Sequence, residues 1–430
     1  MKTTLHKVFL LFVIAAFGSF GCDGLLDVNN PNSVLEENLA NPSAANAIAS
    51  GALSTTAYAV GFCLAPYTVA TDEGVWIGSR DAWNQLDRGF LADFNNEFVD
   101  AAWPFITEAR YTCDNAISLL NTFKSAGTLK DSKNLAKAYL YSAVARLTIG
   151  DMFDDFVYSS KREAKPPIGE TNMVNVYSEA IANLDAALAI LQSTPDPELQ
   201  RRVLALRARA KHAKAVWSKV NPKPAAPAAN PYVSDGADDA TAALALMTAN
   251  YRWQFTYPGA IGTAGFNEWA WEVVGRSEMN TAPVPKDIID AAVDDPRIAN
   301  EIKDFKDKVK HVGDRNSPFT VVSEREMQLI LAESKVVSDP AGATTILNAL
   351  RARDSLKPLA PQGGVTVEQL LQHERRANLY MMGRRLTDMY RFGIKDPRWV
   401  PTSDAITVPG SFFPITIQER RANQFLTGGR

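Results

Sequence analysis

The sequence predicts a mainly α protein, built from successive helices, with one irregular loop-rich face and a few short strands. Three observations carry this. Apolar residues recur at helical spacing through residues 103–217 and 323–393. Gly and Pro clusters punctuate the intervals between those runs. Aromatic residues without sustained periodicity crowd residues 55–102 and 253–279, where loops or short strands are expected. The 430 residues could hold two or three cores, but the composition is evenly mixed and free of charge blocks. The expected organisation is an N-terminal leader, residues 1–21, followed by a single domain over residues 22–430.

The leader carries the compartment signal. Lys2 and Lys7 form a positive start, Val8 to Phe17 is an apolar run too short to span a bilayer, and small residues precede Cys22. This is an export signal. Its Gly21-Cys22 end fits a lipoprotein signal in which Cys22 becomes the lipidated first residue, although Ser19 stands where an apolar residue is usual. A plain secretory peptide cleaved nearby is the alternative. No other stretch reads as long or apolar enough to cross a membrane. The formal net charge of −3 becomes −5 once Lys2 and Lys7 leave with the leader. That balance argues against nucleic acid as a partner, since phosphate-tracking surfaces need clustered Lys and Arg. With Cys22 acylated, Cys63 and Cys113 remain, either as a disulfide or as two unpaired, partly buried thiols. Metal binding through them is not expected, because no His or third Cys lies at ligand spacing.

Along the mature chain, Ser33 and Glu36 have capping-box spacing after the Asn29–Asn32 turn cluster, and Asn41-Pro42-Ser43 opens a second helix through about Leu53. Residues 72–84, DEGVWIGSRDAWN, read as a loop because two glycines interrupt a weak period. Trp76 and Trp83 beside Arg80 and Asn84 are candidate ligand-binding residues: a ring face stacks on apolar CH surface while polar neighbours fix orientation. The same tryptophans could instead pack beneath the loop, as large aromatics commonly do.

From Trp103 to Trp217 the pattern is helical, with Gly150 ending one helix. Alanine at close-contact positions makes these helices similar to tetratricopeptide units of about 34 residues. Residues 221–231, with Pro222, Pro224 and Pro227, read as a polyproline-type connector. A further helix is expected over 238–251. Residues 253–279 read as the least regular part, and helices return at Ser323–Ser334 and Ala343–Arg353.

The longest helical pattern runs unbroken from Val365 to Gly393. It places Glu374 on the buried face among Arg375, Arg376, Arg384, Arg385 and Arg391. A buried carboxylate stays ionised only where guanidiniums meet it, so Glu374, Arg375, Arg376, Arg385, Asp388 and Arg391 are read as a structural ion-pair network.

The order Glu374-Arg375-Arg376, Gly383, Arg385, Asp388, Arg391, Gly393 resembles, without a gap, the C-terminal signature helix of the SusD/RagB family of outer-membrane nutrient-binding lipoproteins. Asn378 and Met382 stand where the family usually has glutamates, and Leu386 and Phe392 where it favours tryptophan, which implies a thinner salt-bridge network. Further likeness lies in the Leu-Asp-Val lead after Cys22, in Tyr177, Ile181, Leu184 and Ala187, in Asp295-Pro296-Arg297, in Asn348, Arg351 and Arg353, and in Phe413-Pro414-Ile415 with Arg421-Ala422-Asn423. The resemblance covers almost the whole mature chain. It implies a TPR-like α-superhelical scaffold, lipid-anchored to the outer membrane and facing the cell exterior, with a loop in the 72–84 part contributing to a ligand site, a glycan or oligopeptide ligand, and a TonB-dependent, SusC-like barrel as partner. An exported helical-repeat adaptor binding only protein partners is the alternative.

Catalytic signatures are missing. His373-Glu374 begins like a zinc-protease motif, but position 377 is alanine. There is no Gly-x-Ser-x-Gly elbow, phosphate loop or dinucleotide fingerprint. Asp151, Asp154 and Asp155 follow a helix-ending glycine, where solvated carboxylates are routine, and four scattered histidines leave little for a triad. No enzyme activity and no cofactor are expected.

Overall fold

The computed structural model describes residues 40–160, 163–224, 228–257, 267–309, 316–360 and 364–426. Cys22 and the Ser33/Glu36 capping box lie outside them. The chain divides at residue 44. In the first unit Pro42–Ala44 form one 3-10 turn, with the Asn41 side chain accepting from Ser43 N at 2.9 Å.

The second unit contains fifteen helices and two two-stranded sheets among the described residues. Helix α1 spans Ala45–Val69, sixteen residues beyond the expected end at Leu53. It is buried nearly all round, so its apolar pattern has no face to reveal it. Strand β1 (Gly74–Trp76) and helix α2 (Asp81–Asp87) replace the loop expected over 72–84. The strand's partner lies some two hundred residues away, and a seven-residue helix is too short for periodicity to register.

Four long helices follow: α3 (Glu97–Ser125), α4 (Lys133–Met152), α5 (Val174–Ser193) and α6 (Pro197–Val220). Asn96 caps α3 by accepting from Phe98 N and Val99 N, and Asp196 caps α6 ahead of Pro197, whose missing N–H costs nothing in a first turn. Each packs on the next, and α1 packs on α3 and α4, which is the layered helical scaffold expected from the sequence. Gly150 does not end α4, which runs on to Met152; a Cβ there would meet the Tyr177 ring at 2.6 Å, so the glycine serves close helix packing. The proline-rich residues 221–224 and 228–230 have no regular secondary structure, and Lys223 Nζ is held 2.8 Å from Asp154.

Helix α7 (Ala237–Leu244) is shorter than the expected 238–251, since the chain turns through Asn250 at φ 60°, a conformation no helix continues. Strand β2 (Arg252–Phe255), the short α8 (Glu268–Ala270) with a π-turn over Trp271–Gly275, and β3 (Met279–Thr281) make up the irregular region. Then come α9 (Pro296–Lys308), β4 (Phe319–Ser323), α10 (Glu324–Lys335), α11 (Pro340–Arg353), α12 (Val367–Asn378), α13 (Arg385–Phe392), α14 (Asp404–Thr407) and α15 (Ile417–Ala422). β1 pairs antiparallel with β3, and β2 with β4. A Thr366/Gln369 capping box starts α12, and Gly393 at φ 67° ends α13.

The pattern read as unbroken from 365 to 393 is therefore two helices. Met381 at φ 57° and Gly383 at φ 71° reverse the chain between them. Tertiary contacts hold that turn: Tyr380 Oη donates to Glu73 O at 3.0 Å, and Met381 N donates to Glu73 Oε1 at 3.0 Å.

The main core joins α1, α3 and α4 to Leu386, Met389 and Tyr390 of α13 and to Phe412, Phe413 and Ile415. A second cluster joins Leu329, Leu347, Leu350, Leu370 and Leu371. Contrary to the sequence reading, Pro42–Val69 and Glu170–Ser193 are long and apolar enough to cross a membrane, but α1 owes this to its place in the core. Cys63 and Cys113 are free and buried, which decides against a disulfide, and burial pushes both thiols up to about 12.

Candidate functional site

The buried carboxylate of α12 organises the C-terminal half. Glu374 is fully buried. Its Oε1 accepts from Arg351 Nη1 at 2.9 Å, and its Oε2 accepts from Arg297 and, at 3.1 Å, from Asn378 Nδ2. These guanidiniums come from α11 and α9, not from the neighbouring arginines the helical pattern offers. Arg351 also holds Asp287 through two bonds of 2.9 Å, while Arg297 and His373 hold Asp295. Burial alone would raise the Asp295 carboxyl, but His373 and Arg297 together hold it well below the usual carboxylate range.

The adjacent arginines serve separate carboxylates. Arg375 bonds Asp388 at 2.8 Å, Arg391 joins Asp388 to Glu333, and Glu333 also accepts from His212 at 2.9 Å. Burial opposes the charge on Glu333, yet Arg391, His212 and Arg375 outweigh it and hold this carboxyl far down. Acids that α12 lacks are thus supplied by α10 and by the 287–295 segment, so the network is not thin. Asp287, Asp295 and His373 also place three metal-type ligand atoms within 4.8 Å of one another. Both carboxylates are already neutralised by Arg351 and Arg297, with which a cation would have to compete.

The outer side of this network is a cleft of about 670 Å³. Helix α12 contributes His373 and Arg376, α13 contributes Arg385, and the chain after Gly393 contributes Lys395, Asp396 and Arg398. Asp72 lies opposite, accepting from Arg385 Nε at 2.6 Å and Nη2 at 2.8 Å, with Arg376 Nη2 at 2.9 Å. Burial would raise this carboxyl, but Arg385 and Arg376 hold it below its ordinary value. Next to it Glu73 is fully enclosed, and burial pushes its carboxyl up to about 8. The apolar wall comes from Val75, Ile288 and Ile394. Such a mixture of apolar wall and a few convergent polar groups, in a volume between ~300 and 1,000 Å³, suits a small ligand.

The ligand residues expected from sequence do not converge here. Trp83 is 1% exposed and stacks on Phe98, ring centroids 3.6 Å apart and planes within 8°. Trp76 packs against the main core. Arg80 lies over the Phe98 ring and pairs with Glu97 at 3.0 Å, and Asn84 donates to Asp81 at 3.1 Å. Trp83 is therefore corrected to a core residue, because α2 turns it inward against α3. The segment's contribution to the cleft is instead Asp72 and Val75. Arg376 and Arg385 were visible in the helical motif, but nothing local marks Asp72, Lys395 or Arg398 as their companions.

No family model and no curated protein matches this chain. Solved structures do. A SusD superfamily protein from Parabacteroides distasonis superposes with a TM-score of 0.63 at 14% identity, covering 93% of this chain and 100% of that one. A SusD-like carbohydrate binding protein from Bacteroides vulgatus gives 0.59 at 15% identity over 82% and 83%. A laminarin-binding SusD-like protein gives 0.57 at 14% identity over 89% and 98%. A likeness this long, at identities this low, makes the fold of this chain that of the SusD superfamily proteins.

Proposed function

We propose that this protein is a non-catalytic, cell-surface lipoprotein that captures a nutrient, a glycan or an oligopeptide, and delivers it to a TonB-dependent outer-membrane transporter. The observation that carries the reading is the SusD-like fold, kept over nine-tenths of the chain, with an open cleft beside α12 and α13. Carbohydrate-binding neighbours favour a glycan. In the cleft, sugar CH surface would lie on Val75, Ile288 and Ile394 while the charged groups fix orientation. Asp72 is a poor general acid, since two guanidiniums keep it unprotonated near neutral pH.

Affinity electrophoresis of the pure protein in gels containing plant and microbial glycans is expected to show retention without release of reducing ends. Turnover would overturn the non-catalytic reading, and failure to be retained by any glycan or peptide would overturn capture. The anchor is tested separately. Cys22→Ser is expected to move the protein from the membrane to the soluble fraction; a variant as firmly membrane-bound as the parent would end the lipoprotein reading.

A further inference from the structure

The cleft's charges do not cancel. Arg376, Arg385, Lys395 and Arg398 face two acids, Asp72 and Asp396. Two of the cations are consumed by the fold. Arg385 is committed to Asp72 through two hydrogen bonds. Arg398 spends its donors on Asp396, Asp87 and the carbonyls of Gly74 and Thr71. Arg376 differs. Its one ion pair among the described residues is to Asp72, a carboxylate that Arg385 already holds, and a quarter of its side chain is exposed. Lys395 is exposed and has no ion-pair partner among the described residues.

We infer that this cleft selects acidic oligosaccharides, with a hexuronate carboxylate seated on Arg376 and Lys395 and its ring on the apolar wall. The inference rests on the glycan-capture reading and adds the ligand's charge class. A planar guanidinium with free N–H groups matches a carboxylate in a two-bond geometry, and Lys395 adds a second positive charge. A neutral sugar in the same place would strip water from both cations without replacing it by a counter-charge. An acidic peptide offers the same carboxylate, but the carbohydrate-binding neighbours favour the glycan.

Calorimetric titration of the mature full-length chain tests this with tetramers of galacturonate and of mannuronate, their methyl esters and a tetraglutamate peptide. A charge-assisted hydrogen bond contributes enough for the acidic tetramer to bind about tenfold tighter than its uncharged ester. The advantage should shrink as salt rises. Arg376→Gln and Lys395→Gln should each reduce it, Lys395→Gln with unchanged thermal unfolding, whereas Lys124→Gln on a remote exposed helix end should not. Equal affinity for acid and ester would overturn the charge inference and leave glycan capture standing. Binding of the peptide alone would overturn the inference and turn the capture reading towards peptides. Retention of neutral glycans with no uronate binding would overturn the inference, whereas loss of all glycan binding would overturn both readings.

Discussion

Glu374→Ala is expected to destabilise the protein by about 3 kcal/mol, the lower end of the roughly 3–5 kcal/mol for breaking a buried ion pair from one side. The change leaves Arg297 and Arg351 in the interior with donors aimed at an apolar methyl, and it strips Asn378 of an acceptor. Each arginine keeps one carboxylate, Asp295 or Asp287, which is why the upper end is not reached. Glu374→Gln should cost less, because it keeps the volume and one acceptor oxygen. Urea unfolding of both variants, beside the exposed Glu108→Ala, measures the effect. A Glu374→Ala loss under about 0.5 kcal/mol, the range of surface substitutions, would show that the carboxylate is not buried between two guanidiniums.

Trp83→Ala is expected to cost about 3–5 kcal/mol, the range for truncating a buried aromatic. The ring is enclosed and lies flat on Phe98. Trp83→Phe should recover most of that loss, since the indole Nε1 makes no hydrogen bond and a smaller ring still stacks. Thermal unfolding and ligand retention, measured on the same samples, distinguish core from site. A Trp83→Ala protein that unfolds like the parent but loses ligand would place the ring in the binding surface and overturn its assignment to the core.

Local physics explains what could be read without a structure. The caps at Ser323, Asp295 and Thr366 and the αL glycine at Gly393 act within three or four residues, so their signals are contained in short words of sequence. Helical periodicity located α3, α5 and α6, each of which keeps a buried and a wet side, and it also reached α4, which has no exposed residue. It stopped short on α1, ending that helix at Leu53 where it runs to Val69, and it ran through the reversal at Met381 and Gly383, whose cause is Glu73 three hundred residues earlier.

The sequence by itself determined the mainly helical class, the likeness to SusD-type proteins, and the need for Glu374 to meet guanidiniums. Only the tertiary structure decided which guanidiniums these are. Arg351 and Arg297 lie 23 and 77 residues from Glu374, and no local pattern can choose them over the arginines next door. The same holds for the cleft: Asp72 meets Arg385 across 313 residues, and Trp83 turns inward because α3 offers it Phe98. Charge pairing and burial depend on distance in space, and the chain reveals such distances only after it has folded.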